Sequence, residues 1–193
     1  MNRLLLAFAF VLLTSLSLQA QLTIKPAVGV NFTDWSKNPT TGEYKSKVGY
    51  QVGATFTIGK KISFEPGIFY VQKSTELVNQ NTNLDNVEFD LKGIRVPIGI
   101  GIDLLGHEQS AIGLRALGGV SAFFLTSSEG HTAIPPDDFN DVSWGLYAGA
   151  GFNFTIVFLE AQYEWSLTDI TKSSVDVGKT RSIFINAGIR IPL

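Results

Sequence analysis

Arg181-Ser-Ile-Phe-Ile-Asn-Ala-Gly-Ile-Arg-Ile-Pro-Leu193, the last stretch of the chain, decides the fold. Alternate positions give Ile183, Ile185, Ala187, Ile189, Ile191 and Leu193 on one side, and Ser182, Phe184, Asn186, Gly188, Arg190 and Pro192 on the other. Successive side chains of a strand point to opposite faces. One face of this strand is therefore wholly apolar, while the other is mostly small or polar and carries a full charge. In a soluble sandwich the apolar face would be core and the polar face would meet water. Here the same alternation recurs along the chain behind a secretory leader, and that combination points to a transmembrane β-barrel, apolar toward lipid and polar toward its lumen.

The leader occupies residues 1–20: Arg3 supplies the positive start, residues 4–13 are apolar, and residues 14–20 are small or polar up to an expected cut between Ala20 and Gln21. The apolar run is too short for a spanning helix. Residues 21–193 are expected to form one barrel domain. With Lys+Arg 15 against Asp+Glu 17, the formal net charge is -2, and no stretch is basic enough for nucleic acid. Zero cysteines exclude a disulfide framework and a lipid-bearing cysteine at the cut. No later run is long and apolar enough for a spanning helix, so insertion must use strands, closed on themselves to satisfy the backbone in lipid.

The alternation predicts eight strands, over residues 22–33, 47–58, 62–74, 88–103, 110–126, 142–154, 156–169 and 180–192. Each meets the roughly 9–11 residues that a tilted spanning strand needs. Connections after the second, fourth and sixth strands are short, at residues 59–61, 104–109 and near Thr155. Those after the first, third, fifth and seventh are longer: 34–46, 75–87, 127–141 and 170–179. Outer-membrane barrels segregate short periplasmic turns from longer extracellular loops in this way. The expected fold class is all-β, an eight-stranded antiparallel up-and-down transmembrane barrel in the outer membrane.

Parity then assigns faces. The outward sets include Val48, Tyr50, Val52, Ala54, Phe56 and Ile58 in the second strand, and Trp144, Leu146, Ala148, Ala150, Phe152 and Phe154 in the sixth, without a charge. Outward aromatics fall at two heights. Phe32, Tyr50, Tyr70, Phe124, Trp144, Tyr163 and Trp165 lie near the long loops, and Phe56, Phe64, Phe152 and Phe154 near the short turns, as two interfacial belts require. The inward set holds glycines and charges: Lys25, Glu65, Arg95, Asp103, Arg115, Glu160, Glu164 and Arg190. Eight strands leave an interior just wide enough for side chains to fill, and buried charge must be paired. The expectation is a lumen network of Arg95, Arg115 and Arg190 with Glu65, Glu160 and Glu164, in which inward glycines leave room for the long side chains.

Several pieces in order carry a family resemblance: Pro26-Ala-Val-Gly-Val-Asn31, Phe64-Glu-Pro-Gly-Ile-Phe-Tyr70, Ile94-Arg-Val-Pro-Ile98, Gly145-Leu-Tyr-Ala-Gly-Ala-Gly-Phe152, Leu159-Glu-Ala-Gln-Tyr163 and Leu167-Thr-Asp169. In these the chain resembles the PorT-like family of small outer-membrane β-barrel proteins. The resemblance implies a fold and a location, and no common biochemical activity. One departure is the ending Ile191-Pro-Leu193, where such barrels usually place an aromatic residue read by the insertion machinery.

Candidate chemistry is sparse. Glu160 and Glu164 share a face, but four residues of strand separate them by about 13 Å, beyond the spacing of glycosidase carboxylates. His131, near Ser127 and Ser128, lies in a loop that positions no base on a nucleophile. His107 has no ligand-like neighbour, and two distant histidines make no metal site. Gly149-Ala-Gly151 precedes no helix and so is no phosphate loop. Glu129, Asp137, Asp138 and Asp141 give one loop an acidic surface, either simply solvated, or bridged by divalent ions to lipopolysaccharide or in contact with a partner. The expected role is structural or interactive at the cell surface, without cofactor: membrane integrity, adhesion, or accessory to a secretion or envelope complex. Expected partners are outer-membrane lipid and lipopolysaccharide, the barrel insertion machinery and an envelope protein. The alternatives are a narrow pore for small solutes and, behind it, a lipid-modifying barrel enzyme.

Overall fold

The structure, a computed structural model, describes residues 21–35, 42–79, 87–106, 111–130, 142–168 and 179–193. The expected leader, both histidines, and Asp137, Asp138 and Asp141 lie outside them. The strands are β1 (Leu22–Trp35), β2 (Gly42–Ser46), β3 (Val48–Gly59), β4 (Ile62–Asn79), β5 (Val87–Leu105), β6 (Ile112–Gly130), β7 (Val142–Phe154), β8 (Val157–Ser166), β9 (Thr180–Ile189) and β10 (Ile191–Pro192). Pairing runs β1-β3-β4-β5-β6-β7-β8-β9, and β9 returns to β1. Every pair is antiparallel. β2 continues β3 beyond Lys47 and pairs with β4, while β10 continues β9 and pairs with β1. These elements form the eight staves of a closed antiparallel barrel.

Three short turns use left-handed backbone, at Gly59 (φ 127), Gly106 (φ 78) and Thr155 (φ 53). Glycine adopts that region without Cβ strain. Thr155 is the exception, and its N–H donates to Ala111 O at 2.7 Å. The opposite end extends further than the alternation predicts. Residues 42–46, expected as loop, form β2; β4 continues to Asn79, β5 starts at Val87 and β6 continues to Gly130. The ladders Tyr44↔Leu77, Thr75↔Phe89 and Phe89↔Gly130 hold this extension together. Backbone pairing persists here where the alternation in the sequence fades. At 18, 19 and 19 residues, β4, β5 and β6 rise beyond β8 and β9, which have 10 each.

The faces follow parity. Val52, Ile98, Ile100, Leu146, Leu159 and Ile185 are exposed on the outside of the lone chain, which is the surface lipid covers. Outward aromatics also meet one another near the long-loop end: Tyr163 and Trp165 lie 4.6 Å apart, and Tyr50 and Tyr70 lie 6.5 Å apart, between ring centroids. No helix among the described residues is long and apolar enough to cross a membrane.

Candidate functional site

The lumen gathers the chain's ionisable groups. Arg95, 0 % exposed, donates from Nε to Glu164 Oε2 at 2.8 Å and from Nη2 to Gln162 Oε1 at 3.2 Å. Its Nη2 is also 2.8 Å from Glu164 Oε2. Ser121 donates to the same carboxylate at 2.6 Å, and Lys73 Nζ stands 3.8 Å away. The Arg95 guanidinium lies 4.4 Å from the Phe184 ring centroid and 5.3 Å from that of Tyr147, contacts that favour a desolvated cation.

A second cluster lies toward the short turns. Arg115 pairs with Glu65, donates to Ser63 Oγ at 3.0 Å, and has its Nε 3.6 Å from Asp103 Oδ1. Glu65 also accepts from Ser63 at 2.9 Å and from Thr57 at 3.4 Å. Lys25 pairs with Glu160 and stands 4.4 Å from the Phe158 ring centroid. Between the charges, Gln51 donates to Asn186, and the Asn31 amide donates to Gln72 O at 2.9 Å. Around them pack Ala27, Phe69, Val71, Phe123, Phe158 and Phe184.

Of the six residues expected to form one network, the structure brings together Arg95 with Glu164 and Arg115 with Glu65, as separate clusters. Glu160 meets Lys25 instead of an arginine. Arg190 meets no carboxylate among the described residues; only its backbone N–H is engaged, by Ile156 O at 2.7 Å. Pairing across a lumen depends on the stagger of the staves, which the parity of single strands does not carry. Parity alone also places Lys73, eight residues beyond Glu65 in β4, and the aromatics Phe69, Phe123, Tyr147 and Phe158 on the inward face.

The glycines explain how so much fits. A Cβ at Gly99 would overlap the Tyr147 hydroxyl, one at Gly101 would overlap Arg115 and Glu65, and one at Gly188 would stand 2.8 Å from the Phe158 ring. At Gly151 it would meet Cγ of both Arg115 and Glu160 at 2.9 Å. Small residues in the wall are thus matched to large ones in the lumen.

The sequence matches the family described as outer membrane protein beta-barrel domain over residues 18–172. Comparison with curated proteins finds no match. Among solved structures the chain is similar to the outer membrane protein OprG from Pseudomonas aeruginosa, at 15% identity and a TM-score of 0.59, with 90% of this chain and 96% of that chain covered. It is also similar to Neisserial surface protein A, NspA, at 15% identity and a TM-score of 0.52, with 89% and 97% covered. At this identity the likeness is one of fold.

Proposed function

Because the chain belongs to the outer membrane protein beta-barrel domain family and is an outer-membrane protein, we propose that it acts through its surface rather than through its lumen. Its role is structural or interactive, in membrane integrity, adhesion or an envelope complex, without enzymatic activity. The observation that carries this reading is the filled lumen: Lys25, Arg95 and Phe184, on different staves, are 1%, 0% and 0% exposed. A conducting path needs solvent along the axis, whereas these side chains close it with paired charge and aromatic rings.

The extension of β2, β4, β5 and β6 above the membrane gives the proposed surface role a platform at the long-loop end. The PorT-like motifs support the finer reading of the chain as a PorT-like barrel, and the charge and hydropathy pattern of residues 1–20 supports an N-terminal secretion signal. The proposed contacts are outer-membrane lipid and lipopolysaccharide, the insertion machinery, and one envelope protein reached from the long loops. Site-specific crosslinking tests it. A photoreactive residue at Gly42 or Val87 on intact cells should capture one discrete envelope component, while the same residue at Lys61, in a short turn, should not. Uniform capture from all three positions, or from none, would remove the support for a surface partner.

A further inference from the structure

Among the described residues, Arg190 is the one member of the expected network that the lumen leaves without an anion, and its surroundings are cationic. The register that pairs Ala27 with Gly188 and Ile24 with Ile191 sets Lys25 opposite Arg190 across the β1–β9 seam. Like charges facing each other on neighbouring strands are destabilising. Lys25 is relieved by Glu160, but Arg190 is not. Arg190, Lys60, Lys25 and Arg115 line one cleft at the short-turn mouth of the barrel, with the Thr23 and Thr57 hydroxyls beside them. Asp103 is the carboxylate in its lining, and it faces Arg115 Nε at 3.6 Å. That distance is too long for a hydrogen bond, and the buried Nε has no hydrogen-bond partner.

We propose that this mouth is a binding site for a phosphate oxyanion presented from the periplasmic side. Lys60 and Arg190 hold the charge, and Thr23 offers a hydroxyl donor. The cleft has room for one water-sized group. The site therefore grips the tip of an oxyanion and passes nothing inward, since Lys25 and Glu160 close the lumen behind it. A phosphate monoanion or dianion at this position removes the repulsion between Lys25 and Arg190. Two sources share this chemistry: free phosphate and the phosphodiester of an inner-leaflet lipid. The inference stands independently of any surface partner.

The test is an unfolding titration of the refolded barrel in nonionic micelles. One arm adds inorganic phosphate against sodium chloride of equal ionic strength, and the other adds phosphatidylglycerol to the micelle. The expected result is a saturable rise in the thermal midpoint in at least one arm, beyond the chloride control. In Arg190→Gln and Lys60→Gln the apparent dissociation constant should rise roughly tenfold, the loss of one charge-assisted contact. In chloride alone Arg190→Gln should be at least as stable as the native chain, because it breaks no ion pair; a drop there would assign Arg190 a structural partner and overturn the proposal. No rise beyond chloride in either arm, or equal rises in native and variant chains, would also overturn it. A rise confined to the phosphatidylglycerol arm identifies the lipid headgroup as the source.

Discussion

Replacing Arg95 by Met should lower the stability of the barrel more than any exposed substitution can. Arg95 is fully buried, makes two contacts to Glu164 at 2.8 Å and one to Gln162 at 3.2 Å, and lies over Phe184. Breaking a buried pair by removing one partner costs about 3–5 kcal/mol, since the other charge is left uncompensated. Glu164 would keep Ser121 at 2.6 Å and Lys73 at 3.8 Å, so the loss belongs at the lower end, about 3 kcal/mol. With a urea dependence near 3 kcal/mol per molar, the upper part of the usual range, the midpoint should fall by about 1 M. The assay is reversible urea unfolding in micelles, followed by tryptophan fluorescence, with Lys61→Met in an exposed turn as control. In Arg95→Met/Glu164→Gln both charges are gone, and much of the loss should return, as expected when a buried pair is replaced together. Equal small effects from Arg95→Met and Lys61→Met would refute a packed, dry lumen. Failure of the double variant to recover would refute the assignment of Glu164 as the partner.

Three further outcomes follow from the same geometry. Gly119→Ala would press a Cβ against Ile98 O and Gly99 Cα, backbone atoms that cannot swing away, whereas Gly118→Ala meets nothing nearer than 3.3 Å. Urea midpoints should separate the pair by about 1–3 kcal/mol, the usual cost of overpacking. Ile98→Arg, on the lipid face and 44% exposed in the lone chain, should cost about 2–4 kcal/mol in bilayer-folded protein, and a neutral result would remove Ile98 from hydrocarbon. Reconstituted into planar bilayers, the native protein should give no stable conductance steps; sustained ohmic current would move the reading to a solute pore.

The barrel was legible because lipid and lumen impose opposite chemistry on successive residues. Ile183 to Ile191 at alternate positions, and Val157 to Trp165 in β8, carry that imprint without interruption. The extension above the membrane was not legible. In β2 and the far ends of β4, β5 and β6 the sequence carries no sustained alternation, and only the pairing ladder reveals the strand. The lumen was legible as a set and not as a wiring. Parity put Arg95, Arg115, Glu65, Glu160 and Glu164 inside, while stagger decided that Glu160 meets Lys25 and that Arg190 stands at the mouth. The aromatic packing of Phe123, Phe158 and Phe184 around those charges follows from the same parity, once inward positions are read for size as well as for charge.

The most direct measurement is a cysteine scan of β9, which the absence of native cysteine makes clean. Single cysteines at Ser182, Ile183, Phe184, Ile185, Asn186 and Ala187 would be probed in bilayers with two thiol reagents, one charged and water-soluble, one lipid-partitioning. The lipid reagent should label positions 183, 185 and 187, and neither reagent should label 182, 184 or 186 until the chain is unfolded in urea. Labelling of 184 and 186 by the charged reagent in the folded protein would contradict a sealed lumen, and loss of the two-residue period would contradict the barrel itself.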